Sequence, residues 1–469
     1  MNKVQLLKTI SGICLFLSLI VPWSSVSGSD QPLLLKNVKV YTMGKQGVLE
    51  MGMLLIKGGK IEEIGQDIAY PSEAEVIDLE GRVIIPGIVC ASSSLFIHER
   101  DLTYPGDENP DTDVLEGIQY FDPSIPEILE YGITTAYISP PSFQYIGGLG
   151  AVVKLNSKER PTITVLREKA ALNFRLERLQ DRKTSNVLRL TQYHKIRDKF
   201  KEAQEYKKEW KDYEKKFEEY EEGKKKLEDK KEDKSEKEAG EKSAEPKKPQ
   251  EPKKPKKDGA KEILLQAMEK KIPVRFVVHR PDSILQAMRL GKEFGLKVVL
   301  ERGEEWEVLL PALEKTSVSL LSSPLLDYRK FLIPGGEKGY GSSLLRIRGG
   351  ELFYSDETSP SEEQENGIWM ELATSQVPFA LIPPDHFPYS ARFMRFYAGF
   401  LVKKGMDPES ALRAITSAAA EILGVEDRVG SLEAGKDADM VVLNGEPLNS
   451  LSIVDMVFVD GSTVWKRER

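Results

Sequence analysis

Four times between residues 123 and 324 the sequence runs from an amphipathic stretch, across a short break, into a brief apolar one. "PSIPEILEYGITTAYISP", "KEILLQAMEKKIPVRFVVHR", "SILQAMRLGKEFGLKVVLER" and "EWEVLLPALEKTSVSLLSSP" each read as a helix followed by a buried strand. Strands that alternate with helices pair in parallel, because the helix supplies the long crossover that parallel pairing requires. The middle of the chain is therefore expected to be α/β, as an open sheet or a barrel. The ends have a different texture. Residues 31–85 and 430–469 alternate apolar and polar positions between glycine-marked turns, as in "GVLEMGMLLIKGGKIEEIG" and "IVDMVFVDGSTVWKRE". Two such segments at opposite ends are expected to form one composite β-domain.

One stretch interrupts the alternation. From Leu190 to Tyr220, apolar and aromatic residues recur in steps of three and four: Leu190, Tyr193, Ile196, Phe200, Ala203, Tyr206, Trp210, Tyr213, Phe217 and Tyr220. That spacing predicts a helix with one aromatic face, about 45 Å long at 1.5 Å per residue. The face must pack on something, either the α/β unit or a second copy of the chain. Lys and Glu fill the opposite side. Beyond Tyr220, "EEGKKKLEDKKEDKSEKEAGEKSAEPKKPQEPKKPKKDG" holds almost no apolar residue and is expected to be a disordered tether. The insert thus comprises residues 190–258.

The N-terminus carries two lysines, then the apolar run "TISGICLFLSLIVPW", then "SSVSGSD". The run is short for a bilayer span, which needs about 20 residues. Residues 1–28 are expected to be a cleaved signal peptide, with a retained anchor as the lesser reading, and the chain to be periplasmic or secreted. The net charge of −7 argues against a nucleic-acid partner. Of two cysteines, Cys14 lies in the signal, so Cys90 has no partner for a disulfide within the mature chain. The glycines of "YIGGLGAVV" precede no phosphate-loop lysine and are expected to mark a tight loop.

"GKIEEIG…VIDLEGRVIIPGIVCA" resembles the N-terminal signature of the amidohydrolase superfamily, in its imidazolonepropionase-like branch, and "GVEDRVGSLEAGKDADMVVLNGEPL" resembles its C-terminal signature. The resemblance implies a (β/α)8 TIM-like barrel over residues 86–424. It also implies a small β-sandwich formed by residues 31–85 and 425–469. Family members are mostly metal-dependent hydrolases of non-peptide C–N bonds, with one or two divalent cations, typically zinc, at the mouth of the barrel. The family pattern after the first strand is Pro-Gly, two apolar residues, then Asp-x-His-x-His. This chain keeps Pro86-Gly87-Ile88-Val89 but places Cys90 at the Asp position and Ser92 and Ser94 at the two His positions. Val277 and Arg302 stand where later strands supply histidines, and Asp385 matches the last-strand aspartate that binds metal and serves as base.

The chain has 4 histidines: His98, His194, His279 and His386. A four-histidine site cannot be assembled, because His194 lies in the long helix. The remaining candidate metal set is His98, His279, Asp385 and His386, with Asp385 as the catalytic candidate. Lys154 is a remote candidate for a bridging carbamate. A serine nucleophile at Ser92–Ser94 would need His98 or His279 as base and lacks the Gly-x-Ser-x-Gly elbow. Two functions are expected to compete. One is a C–N hydrolase of altered chemistry with at most one weak divalent metal. The other is a noncatalytic scaffold that binds a small molecule in the barrel mouth, or a protein partner or second copy through the long helix.

Overall fold

The computed structural model describes residues 31–97, 110–140, 145–176, 186–234, 250–303, 306–324, 345–348, 351–354, 362–384 and 388–468. The signal segment 1–28 lies outside them. The chain opens with β1 (Leu33–Tyr41), β2 (Val48–Lys57), β3 (Lys60–Gly65) and β4 (Glu75–Pro86). Next come β5 (Ile88–Ser93), β6 (Ile133–Ile138), β7 (Ile146–Asn156), β8 (Thr162–Arg175), β9 (Val274–Val277), β10 (Val298–Glu301) and β11 (Ser319–Ser322). A separate antiparallel pair, β12 (Leu345–Arg348) and β13 (Glu351–Tyr354), precedes β14 (Phe379–Leu381). The chain closes with β15 (Met440–Leu443), β16 (Val454–Val459) and β17 (Ser462–Lys466).

The two ends of the chain share one seven-stranded sheet, in the order β17-β16-β15-β4-β1-β2-β3. β4 is the seam. It runs parallel to β1 on one side and antiparallel to β15 on the other, with Pro86 opposite Met440. One cluster that includes Leu35, Leu54, Ile84, Val442 and Phe458 is buried beneath it. From β4 the chain passes through Gly87 into the second sheet. The Gly87 amide donates to the Asp439 carbonyl (2.9 Å), and a β-carbon at this position would collide with the Thr134 side chain.

The second sheet has eight strands, ordered β14-β11-β10-β9-β8-β7-β6-β5. It departs from the expected (β/α)8 ring in two ways. First, β7 runs antiparallel to both its neighbours, while the other adjacent strands are parallel. The reason is connection length. Only residues 139–145 and 157–161 flank β7, far fewer than the dozen or so that a parallel crossover needs. The "YIGGLGAVV" glycines therefore lie in a strand rather than a loop. Second, the edges β5 and β14 are not paired with each other in the strand order. The amide of Val89 on β5 donates to Ile415 O, and that of Leu381 on β14 donates to Ala414 O, each at 2.9 Å. Both edges thus meet one irregular segment, which takes the place of a closing ladder.

Helices cover the outside of this sheet: α1 (Ile125–Leu129), α2 (Asn186–Lys234), α3 (Gly259–Met268), α4 (Pro281–Phe294), α5 (Leu310–Leu313), α6 (Glu362–Thr374), α7 (Met394–Lys403), α8 (Pro408–Arg413) and α9 (Ser417–Leu423). In α4, proline opens the helix and Gly295, at φ +69°, ends it. The inner half of the aromatic stripe on α2 packs on the α/β unit: Ile196, Phe200, Ala203 and Tyr206 are buried. Phe200 stacks between Phe174 of β8 (5.6 Å) and Phe294 of α4 (5.0 Å).

The charged tail of the insert is ordered where it is described, against the expectation of a structureless tether. α2 continues to Lys234, with pairs such as Glu222–Lys226 at 3.8 Å on its surface. Residues 250–258 lie back against α2. The Lys254 ammonium stands 5.9 Å from the Trp210 ring centre, and the Asp258 amide donates to the Tyr206 hydroxyl (3.3 Å). Asp258 then caps α3 by accepting from the Lys261 amide. No helix among the described residues is long and apolar enough to cross a membrane.

Candidate functional site

Side chains alternate across a strand, and this alternation sorts β9 and β10. Phe276 and Leu300 point toward the helices and join their apolar cluster. Arg275 and Glu301 fall on the other face, inside a cluster that includes Val89, Ala91, Tyr137, Val299 and Leu321. Both are almost wholly buried, at 1% and 2% exposure. Ions so deep in a protein survive only when paired and hydrogen-bonded. Glu301 Oε2 accepts from Arg275 Nη2 (2.9 Å) and Nε (3.2 Å). Arg275 Nη1 donates to the Ala91 carbonyl (3.0 Å). The guanidinium carbon lies 3.8 Å from the centre of the Tyr137 ring, a cation–π stack.

Ser92 completes this network. The β5–β6 register shifts between Cys90 and Ser93, and in that irregular stretch the Ser92 hydroxyl donates to Glu301 Oε1 at 2.5 Å. On the far side, the Tyr137 hydroxyl donates to Asn173 Oδ1 (2.9 Å), and Asn173 Nδ2 donates to Gly148 O (3.0 Å). A continuous polar chain therefore crosses the sheet interior from β5 to β10, using side chains of β6, β8 and β9 and a carbonyl of β7. Gly150 makes room for it, since a β-carbon there would collide with the Tyr137 hydroxyl. Burial pushes the Tyr137 phenol up to about 12, so it stays neutral. Burial likewise pushes the Cys90 thiol up to about 12, and its sulfur faces the Ser92 carbonyl at 3.3 Å. Cys90 is thus a small buried thiol without thiolate character.

The other positions singled out in the sequence are distributed as follows. Val277 is the last residue of β9, and His279 follows two residues on, buried, in the turn to α4. Arg302 directly follows β10 at φ +74°, buried, and its Nη1 donates to the Pro384 carbonyl (2.8 Å). Ser94, also buried, directly follows β5. His98, Asp385 and His386 lie outside the described residues. Among the described residues, no group of three His, Cys, Asp or Glu side chains is arranged to hold a metal ion.

Lys154 is elsewhere. Its ammonium is enclosed by Asp437 (2.7 Å), Asp439 (3.1 Å) and Asp460 (2.7 Å), at the joint between the two sheets. Burial opposes its charge, but these carboxylates hold its pKa above the usual lysine range. An amine held charged in this way is unsuited to becoming a carbamate, which requires the neutral form. Burial pushes Asp439 up to about 6, whereas Lys154 and Arg428 hold Asp437 below the usual range against its own desolvation.

The sequence reading missed Arg275 and Glu301. Their signal was present: each is a lone charge in an otherwise apolar strand, "VRFV" and "VVLE". Arg and Glu in such runs are rarely fully buried unless paired.

The fold is mixed α/β, with one largely parallel sheet joined to a sheet built from both ends of the chain. The Amidohydrolase family profile matches residues 388–464. An amidohydrolase from Thermotoga maritima MSB8 shares the fold with a TM-score of 0.67 and 28% identity, over 93% of this chain and all of that one. The chain is thus similar to amidohydrolases, by profile over its C-terminal segment and by fold over most of its length. An imidazolonepropionase of Shewanella oneidensis is 29% identical over 176 residues, which is 36% of this chain and 40% of that relative. A Bos taurus N-acetylglucosamine-6-phosphate deacetylase is 42% identical over 69 residues, only 16% of its length. The chain therefore matches less than half the length of these curated relatives.

Proposed function

We propose that this chain is an amidohydrolase-family protein that has given up metal-dependent hydrolysis and serves as a binding scaffold. One observation carries the reading: the buried Ser92–Glu301–Arg275 network. The family's divalent cation asks for imidazole and carboxylate donors free to face it. The described residues do not fit that demand. Ser92 offers a hydroxyl already donated to Glu301, Val277 has no donor atom, and the Glu301 carboxylate is engaged by a guanidinium. The same network argues against a serine nucleophile, because the Ser92 hydroxyl donates to a carboxylate rather than to an imidazole.

Binding then falls to the surface. The outer part of the α2 stripe supports this: Tyr213, Phe217 and Tyr220 are half-buried on a helix that projects beyond its packed half. The apolar run and small residues of positions 1–28 support export across a membrane, which fractionation of tagged cells would test. The function itself is tested by metal content after zinc and manganese loading, together with turnover of cyclic amides and N-acylated amino acids. Far less than one equivalent of metal and no turnover are expected. Near-stoichiometric metal, lost in His279→Ala or Asp385→Ala, would overturn the proposal in favour of a single-metal hydrolase.

A further inference from the structure

Resting on that reading, we infer that the Arg275 guanidinium is a built-in replacement for the cation. It fills the charge locus of the sheet interior, so restoring the two histidine positions alone cannot restore metal binding. The geometry points to this in three ways. Ser92, the first position where a ligand would stand, contacts Glu301, and Glu301 contacts Arg275, so the guanidinium is one carboxylate away from Ser92. Arg275 also reaches β5 directly through the carbonyl of Ala91, the residue before Ser92. Finally, the cation is held on all sides, by Glu301 in its plane and the Tyr137 ring over its face, and Tyr137 is itself tied to Asn173. The interior therefore already contains a positive charge with a counter-ion, a hydrogen-bond acceptor and an aromatic lid.

This arrangement orders the losses by chemistry. An imidazole at position 92 would stand beside a carboxylate already committed to a fixed cation. A divalent ion entering beside it would meet like charge in a medium of low dielectric, where such repulsion is strong. Glu301, the nearby carboxylate, would have to abandon Arg275 in order to ligate, leaving an unpaired buried charge. Arg275 is thus the residue that excludes metal.

The test compares three proteins for zinc content and for the visible d–d absorption of bound cobalt. Wild type is expected to bind far less than one equivalent, and so is Ser92→His/Ser94→His. Adding Arg275→Gln, which keeps a polar side chain on Glu301 but removes the charge, is expected to raise zinc affinity at least tenfold over the double variant and to give the intense cobalt bands of low-coordinate N/O ligation. Stoichiometric zinc in the double variant would overturn the inference while leaving the proposed function intact. Stoichiometric metal in the wild type would overturn the proposed function first. If the triple variant folds and still binds no zinc, the inference fails. Should it not fold unaided, zinc-dependent recovery of its native circular dichroism would support the inference, and no recovery would overturn it.

Discussion

Arg275 and Glu301 show how much one buried residue can decide. Removing one partner strands the other, so Arg275→Met is expected to cost about 3–5 kcal/mol in urea unfolding. The paired variant Arg275→Met/Glu301→Leu removes both charges and is expected to cost much less than the sum of the single changes. Equal costs would mean that the two residues act independently. At Gly150 a methyl group displaces the Tyr137 hydroxyl from Asn173, and Gly150→Ala is expected to destabilise by about 1–3 kcal/mol. The sequence could present these residues but not pair them. Arg275 and Glu301 sit 26 positions apart, and only the parallel register of β9 and β10, with Val277 opposite Glu301, brings them together. Ser92 and Ser94 were legible as departures from a pattern. What replaced the pattern was legible only in three dimensions.

Among the elements, the helix–strand alternation was readable wherever a connection was long enough to hold a helix. It misled at β7, where short connections impose antiparallel pairing whatever the family pattern suggests. The long helix was readable from its period, but its end was not. It runs on to Lys234, past the last aromatic residue, over a stretch that carries charge pairs such as Glu222–Lys226. The two halves of α2 differ in what they bury, and mutation separates them. Phe200→Ala empties a stacked position in the core and is expected to cost about 3–5 kcal/mol. Phe217→Ala, on the half-exposed stretch, is expected to cost under about 1 kcal/mol while weakening any partner that docks there. Thermal unfolding of the two variants measures the contrast.

For the whole molecule, the joint between the two sheets is electrostatic as well as apolar. Lys154 of the second sheet is held by Asp437, Asp439 and Asp460 of the C-terminal segment, and Lys60 and Arg428 add further charge on Asp437. Burial raises Asp439 from 3.8 to about 6, so its protonated form is favoured in the folded state. The stability that this shift supplies is present below pH about 4 and is lost as pH rises through about 6. Asp437 is shifted the other way and contributes above its unfolded pKa. Asp439→Asn removes only the first dependence. Its stability relative to wild type is expected to improve as pH rises from about 4 to about 6, and a flat difference across that range would refute the assignment.

The seam at β4 has a consequence in time. On a ribosome or at a translocation pore, β4 emerges more than 350 residues before β15, the strand that completes its second edge. Until β15 arrives, the first sheet has an open edge along Val83, Ile84, Ile85 and Pro86. The native joint is therefore a late event of synthesis, and a chain that stops short of Met440 would leave an adhesive, unpaired strand at its own beginning.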